Sequence, residues 1–477
     1  MRRLSFVVLV SVFALLAAAC GDGVGGVEPL PVDALIPTGG GVPAGTGEVS
    51  LLPDIEPDPA AENHFFISPD GSNDNDGQTP ETPWQTIGRA VQAQKAGDVF
   101  WVMDGIYDET DGLAERGAAH FVLEVPGTAA NWIRYRAFPG HRPVVQATVT
   151  SAFEITADYI EVQGFEMRGV GFSAENSFGY GVVVARSHHV MIADNEIHGF
   201  PTGGFGTRGS SHLFVFNNTV HGNALWDSNQ GSGISYWRLE DHGFPDDAAG
   251  YSNYIVGNIL YENENRVFCG FCGEDIITDG NGIIIDQNTM NEAGDQVDYS
   301  GRTLIANNIA FNNGGRAINV FQSINVDVFN NTAYQNLFTE DLEGENAEIA
   351  TFDTRNVRIA NNLIVPQDGD KAISTRGENQ ARQSNVIVGD SQGTSGNDIL
   401  VTTGGFVNAS IDPTIADFRL RISSPAIDAA IPLQLNDAEG RPRGTSPDAG
   451  AYEASTGEGG IGAAPSSTVP EKQQPDE

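Results

Sequence analysis

The chain has 477 residues, and its 25 basic against 63 acidic side chains leave a net charge of −38. That balance, with no basic stripe to offset it, excludes a protein that grips nucleic acid through its phosphates. Glycine accounts for 57 residues while 40% of the chain is apolar, which excludes disorder and points to a globular protein with many tight turns.

The first twenty residues read as an address. Arg2 and Arg3 precede an apolar run, Leu4 to Leu16, that ends in Ala17-Ala18-Ala19-Cys20. A charged start, an apolar middle and small residues before a cleavage point describe an export signal, and the run is short for a membrane span. The small residues before Cys20 resemble a bacterial lipoprotein box, with Ala17 where leucine is usual. The resemblance implies lipidation at Cys20 and an exported bacterial protein held at the outer membrane or cell surface by its lipid alone. Residues 21–63 are rich in Gly, Pro and Asp without periodicity, as a tether is, and residues 64–453 are expected to form the folded unit. The tail, 454–477, is poor in apolar residues and expected to be disordered.

Short segments of the middle repeat. Pieces such as Ile192-Ala193-Asp194-Asn195, Val215-Phe216-Asn217-Asn218 and Ile305-Ala306-Asn307-Asn308 each end in asparagine and are followed by a short apolar pair. The anchors Asn195, Asn218, Asn258, Asn308, Asn331 and Asn362 stand 23, 40, 50, 23 and 31 residues apart. Self-similarity of this kind signals a solenoid. Each unit reads as a Gly-led strand, a strand ending in the anchor asparagine and a third short strand. Stacked anchors are expected to form an asparagine ladder. Alternation turns Ile234/Tyr236, Ile283/Ile285 and Ile318/Val320 inward.

This pattern resembles the right-handed parallel β-helix superfamily that includes pectate lyases, chondroitinase B-like lyases and alginate lyases. The segment Phe66-Ile67-Ser68-Pro69-Asp70-Gly71 through Ala96-Gly97-Asp98-Val99 is similar to the opening coil of such proteins, with an amphipathic cap helix expected from Thr86 to Lys95. The segments Ser424-Pro425-Ala426-Ile427-Asp428 and Pro447-Asp448-Ala449-Gly450-Ala451-Tyr452-Glu453 resemble their closing segment. The resemblance implies an all-β, three-strand coil with an N-terminal helical cap, and a carbohydrate-active protein. Asp74-Asn75-Asp76-Gly77 lacks the spacing of a calcium loop and reads as a turn.

The long spacings place insertions at 238–252, 262–280 and 287–301, all bordering the outer face of the Gly-led strand. Loops on a rigid scaffold are where sites are built. Outward residues there put Arg208, Trp237 and Asp286 in one row, and Arg316 and Asn319 beside it. A cation, an aromatic face and a carboxylate in one row suit an acidic polysaccharide. Cleavage of a uronate chain by β-elimination needs a neutralised sugar carboxylate and a base. The resembling lyases often neutralise with Ca²⁺ and use Lys or Arg as base. Here Asp275, Asp279 and Asp286 are the expected calcium ligands, with Asp295 and Asp298 on the next loop. Lys95 and Lys371 lie elsewhere in the chain, which leaves Arg208, Arg238 or His242 for the base. Trp237, Asn319 and Arg316 are the expected substrate contacts. A glycoside hydrolase on the same fold would instead need two carboxylates, which Asp286 with Asp279 or Asp241 could supply. An epimerase, and a non-catalytic glycan-binding or structural module, are the other readings. Cys269 and Cys272, in a C-x-x-C without βαβ context, are expected to pair as a disulfide in an exported chain. The paired His188-His189 sits at a turn and is read as structural. The protein is expected to be a monomer.

Overall fold

The computed structural model describes residues 63–454, apart from 110–118, 149, 176, 248–249, 274, 345, 390–394, 396 and 434. Cys20, the export signal, the tether and the tail beyond 454 lie outside the described residues. Parallel strands wind through three faces as a right-handed β-helix. The first face carries Tyr180–Ala185, Gly203–Arg208, Ile234–Trp237, Ile283–Asp286, Ile318–Phe321 and the first half of Ala347–Ala360, each paired in parallel with the next. The second carries His188–Ala193, Ser211–Phe216, Asn253–Val256, Thr303–Ala306 and Ile324–Phe329. The third is an eleven-stranded sheet of short strands such as Thr219–His221, Ile259–Tyr261 and Ile309–Phe311.

The register explains why the alternation holds. Ile234, Ile283, Ile318 and Ile349 align across four coils, as do Tyr236, Ile285, Val320 and Thr351. All eight are buried, and each large apolar side chain withdrawn from water contributes about 1.5–3 kcal/mol. A slip of one residue would turn this column outward, so the interior column fixes the register.

The asparagine ladder forms, and the Asn-Asn pairs divide the work. The first of each pair, Asn217, Asn307, Asn330 and Asn361, takes a positive φ of 54° to 61°, a backbone that asparagine tolerates better than most residues. The second is the rung. Asn195 donates through Nδ2 to Asn218 Oδ1 at 3.0 Å, Asn218 to Asn258 at 3.0 Å, Asn258 to Asn308 at 3.0 Å and Asn308 to Asn331 at 2.9 Å. A second ladder, absent from the sequence reading, runs at the next corner. Asn223 donates to Asn263 at 3.1 Å, Asn263 to Asn313 at 2.9 Å and Asn313 to Asn336 at 2.7 Å. It ends on the buried Glu348, which accepts from Asn336 N and Nδ2 at 2.9 and 2.6 Å.

Among the described residues the only helix is Ile87–Ala93, shorter than the expected 86–95. Thr86 caps it by accepting from Arg89 N, and Ile87, Ala90 and Val91 are buried in the main core. The C-terminal segment differs from expectation. Residues 431–433 and 435–451 run back along the stack instead of only closing its end: Asn361 donates to Ile431 O at 2.8 Å, Asn307 to Asn436 O at 2.7 Å, and Ala451 N to Thr332 Oγ1 at 3.0 Å. The strap satisfies the outward amides of the left-handed corner asparagines. The turn at Asp76 closes on itself through Gln78 N and the Thr82 hydroxyl.

Candidate functional site

On the outer side of the first face, register places Arg208 against Trp237, Trp237 against Asp286, Asp286 against Phe321 and Phe321 against Phe352. The adjacent column is Gly206, Ser235, Ile284, Asn319 and Ala350. Adjacent coils lie ~4.8 Å apart, so these columns form a strip running along the stack.

Two of the insertions build one side of the strip. Residues 287–302 lean back across two coils: Glu292 accepts from Arg186 Nε and Nη2 at 2.6 and 2.5 Å and stands 3.9 Å from Arg208 Nε. Residues 238–247 follow the same edge, where Asp241 accepts from Ser300 N and Oγ at 3.2 and 3.0 Å. On the opposite side, residues 262–273 and 275–280 are anchored by Gln230, which donates to Val267 O at 3.0 Å and accepts from Thr278 N at 2.9 Å. Cys269 and Cys272 form a disulfide in that loop, with their Cα atoms 5.5 Å apart.

Asp279 and Asp286 are the electrostatic centre. Burial raises the Asp279 carboxyl, and Arg316, Thr278, Asn281 and Asn319 oppose that shift. The partners are specific: Asn281 Nδ2 donates to Oδ1 at 2.7 Å and Thr278 Oγ1 to Oδ2 at 2.9 Å. Asp286 has fewer. Burial pushes it up to about 8, the negative charge of Asp279 adds to the rise, and Arg238 and Gln287 offset only part of it. Its Oδ1 is shielded from solvent and has no hydrogen-bond partner, as is the neighbouring Ser235 Oγ. Both carboxyls are thus raised, and Asp286, with fewer polar partners than Asp279, is the one pushed into the neutral range. A third carboxylate, Asp227, is buried nearby and pushed up to about 6, chiefly by burial, with Asn229 and Gly231 opposing and Asp279 adding.

The structure brings six of the expected residues together in two sets. Arg208, Trp237 and Asp286 share a row, and Arg316, Asn319 and Asp279 form a contiguous polar group. The Arg316 guanidinium is buried and donates to Thr278 O and Glu343 O at 2.8 and 2.9 Å, which makes it a support for Asp279 more than an exposed sugar ligand. Arg238 is committed within the protein. It donates to Gln287 Oε1 at 3.0 and 3.2 Å and to Glu292 O at 3.1 Å, and its guanidinium lies 4.5 Å over the Trp237 ring. One face of Trp237 is thereby covered. His242 bonds Gly209 O at 3.0 Å and packs in a cluster with His188 and Phe244; desolvation, with the charges of His212, His188 and His242, holds His189 down to about 3. Among the described residues no three His, Cys, Asp or Glu side chains come together to hold a metal. The exposed Asp275 does not join Asp279 and Asp286 as a ligand set, so the residues present do not fit the expected calcium.

Sequence reasoning missed the part played by Asp227, which lies in a turn with no repeat signature, and by the Phe321–Phe352 pair. Those rings are offset-stacked, 5.3 Å between centroids and 9° between planes, and Phe352 is 40% exposed. The outward alternation was the available signal for the rings.

Comparison with known proteins places the chain. YwoF of Bacillus subtilis (strain 168), an uncharacterized protein, is 25% identical over 149 residues; the match spans 29% of this chain and only 30% of YwoF's length. The crystal structure of pectate lyase Pel9A is similar with a TM-score of 0.46 and 17% identity, over 82% of this chain and 96% of that one. A rhamnogalacturonan lyase is similar with a TM-score of 0.48 and 16% identity, over 73% and 91%. These two likenesses are of fold alone. The family profile described as Pel9A-like, right-handed beta helix region, matches residues 65–348, more than half of the sequence, and the chain belongs to that family of right-handed β-helices.

Proposed function

We propose that the protein is a carbohydrate-active enzyme that cleaves a glycosidic bond lying over Asp279 and Asp286. The observation that supports this reading is the asymmetry of the two carboxyls: Asp286 is raised to about 8 and lacks a partner for Oδ1, while the rise at Asp279 is opposed by Arg316 and three hydrogen-bonding side chains. Glycoside hydrolysis uses such a pair: a protonated carboxyl gives its proton to the leaving oxygen while an ionised one activates water or stabilises positive charge at the sugar carbon. Asp286 has the first role and Asp279 the second. Arg208, Phe321 and Phe352 supply charge and ring faces along the strip for an acidic polysaccharide. Lipidation at Cys20 would hold the enzyme at the bacterial surface, where such polymers are met.

A second reading is β-elimination or epimerisation of a uronate. It is supported by the family, whose name is shared with a pectate lyase, and by the Arg208 guanidinium at the edge of the strip, which would be the base. One experiment separates the two. Purified protein is incubated with polygalacturonate, alginate and xylan, and reducing ends and the absorbance of unsaturated products are read together. Reducing ends without absorbance, lost in Asp286→Asn, are expected. Matching absorbance would transfer the assignment to elimination, and no cleavage of any polymer would refute the enzyme reading for these substrates.

A further inference from the structure

Tyr180 opens the strand Tyr180–Ala185 and pairs in register with Gly203. Its ring crosses onto the next strand. A Cβ built on Gly206 would meet Tyr180 Cε1 at 2.5 Å, Cζ at 2.9 Å and Cδ1 at 3.0 Å, and these are the three nearest atoms. A Cβ on Gly203 would meet Cε1 at 3.0 Å. Neither glycine has a positive φ, so the backbone does not require glycine at 206. The ring does: Gly206 is the seat on which Tyr180 lies against the outer face.

That seat sets where the phenol goes. The Tyr180 backbone N–H is held by Ser151 Oγ at 2.9 Å, and among the described residues its hydroxyl has no hydrogen-bond partner. Burial raises the phenol, the Asp227 charge raises it further and the Arg208 charge lowers it. The hydroxyl thus stands within reach of both charges, in the column that continues through Ser235 to Asn319. The strand beneath the ring is two coils before that of Asp286, ~10 Å away. That is the length of one to two sugar rings.

We propose that Tyr180 is a substrate-positioning residue of the same strip. It donates its phenolic O–H to a hydroxyl of the sugar neighbouring the one at the scissile bond. This rests on the reading that Asp279 and Asp286 cleave a glycan. A group acting one sugar away stabilises bound substrate and transition state alike, so its loss appears in KM and leaves kcat nearly unchanged.

The test uses affinity electrophoresis through gels containing polygalacturonate, alginate or xylan, with Asp286→Asn as background so that the polymer stays intact. Tyr180→Phe keeps the ring on its seat and removes only the hydroxyl. Gly206→Ala keeps the hydroxyl and displaces the ring. In the polymer that retards the background variant, either second substitution should weaken retardation by about three- to tenfold, the worth of one hydrogen bond. In the Asp286-intact protein, Tyr180→Phe should raise KM by the same factor. Equal retardation of Asp286→Asn and Asp286→Asn/Tyr180→Phe, with unchanged KM, overturns the assignment and leaves the acid pair standing. Absence of retardation in all three gels, together with absence of cleavage, overturns both.

Discussion

Replacing Asp286 by asparagine should slow cleavage and stabilise the fold. An unfolded aspartate titrates near 3.8, whereas the folded one titrates at about 8. Between these values the folded chain carries a proton that the unfolded chain has released, so wild-type stability falls as pH rises and levels off only above about 8. The penalty at a given pH is at most ~1.4 kcal/mol per pH unit above 3.8. For the shift at Asp286 that gives about 4 kcal/mol at pH 7 and less than half of that at pH 5. Asparagine is neutral in both states and escapes the penalty. Urea unfolding of both proteins at pH 5 and pH 7 should therefore show Asp286→Asn more stable, with the gain about 3 kcal/mol larger at pH 7. Turnover by the wild type should fall as pH rises through about 8, when the acid is lost, and Asp286→Asn should be slower by about 10²- to 10⁴-fold. A stability gain that does not change between pH 5 and pH 7 would show that Asp286 is ionised in the fold, and the acid role would go with it.

Other outcomes follow from separate parts of the molecule. Phe352→Ala should weaken retention in a polymer gel by about 1–3 kcal/mol, the scale of ring stacking. Trp237→Ala should weaken it less, because Arg238 already covers one face of that ring. Asn313→Ala should cost about 2–4 kcal/mol in urea unfolding. It removes donors to Asn336 and Leu260 O and the acceptor of Asn263, all of them buried. Asn313→Ala with an unchanged midpoint would refute the ladder's energetic role. Cys20→Ser should move the protein from the membrane to the soluble fraction, and unchanged fractionation would exclude a lipid anchor there.

The fold was legible because period and identity repeat together. The anchor asparagines fix the coil length, and alternation such as Ile283/Ile285 fixes which side faces in. The second ladder was equally legible, since Asn223, Asn263, Asn313 and Asn336 each follow an anchor by five residues. The row of Arg208, Trp237 and Asp286 follows from the same register. Loop direction did not follow. Nothing in the order of residues 287–302 says that Glu292 reaches back to Arg186, or that Arg238 folds onto its own neighbour. Asp227 escaped notice because its importance comes from burial beside Asp279, a property of the folded surroundings.

The strap formed by residues 431–433 and 435–451 has a consequence for how the molecule comes apart. In a stack where each coil touches only its neighbours, opening begins at a free terminus and proceeds rung by rung, like a zip. Here Ile431, Asn436 and Ala451, beyond the last coils, are tied to Asn361, Asn307 and Thr332, several rungs inside the stack. The last coils, around Val386–Val388 and Ile399–Val401, are bracketed between the body and this tie. Unzipping from the C-terminal side must first release a long loop, which makes the terminal rungs cooperative with interior ones. A protease that trims the end would then convert one concerted transition into a staircase.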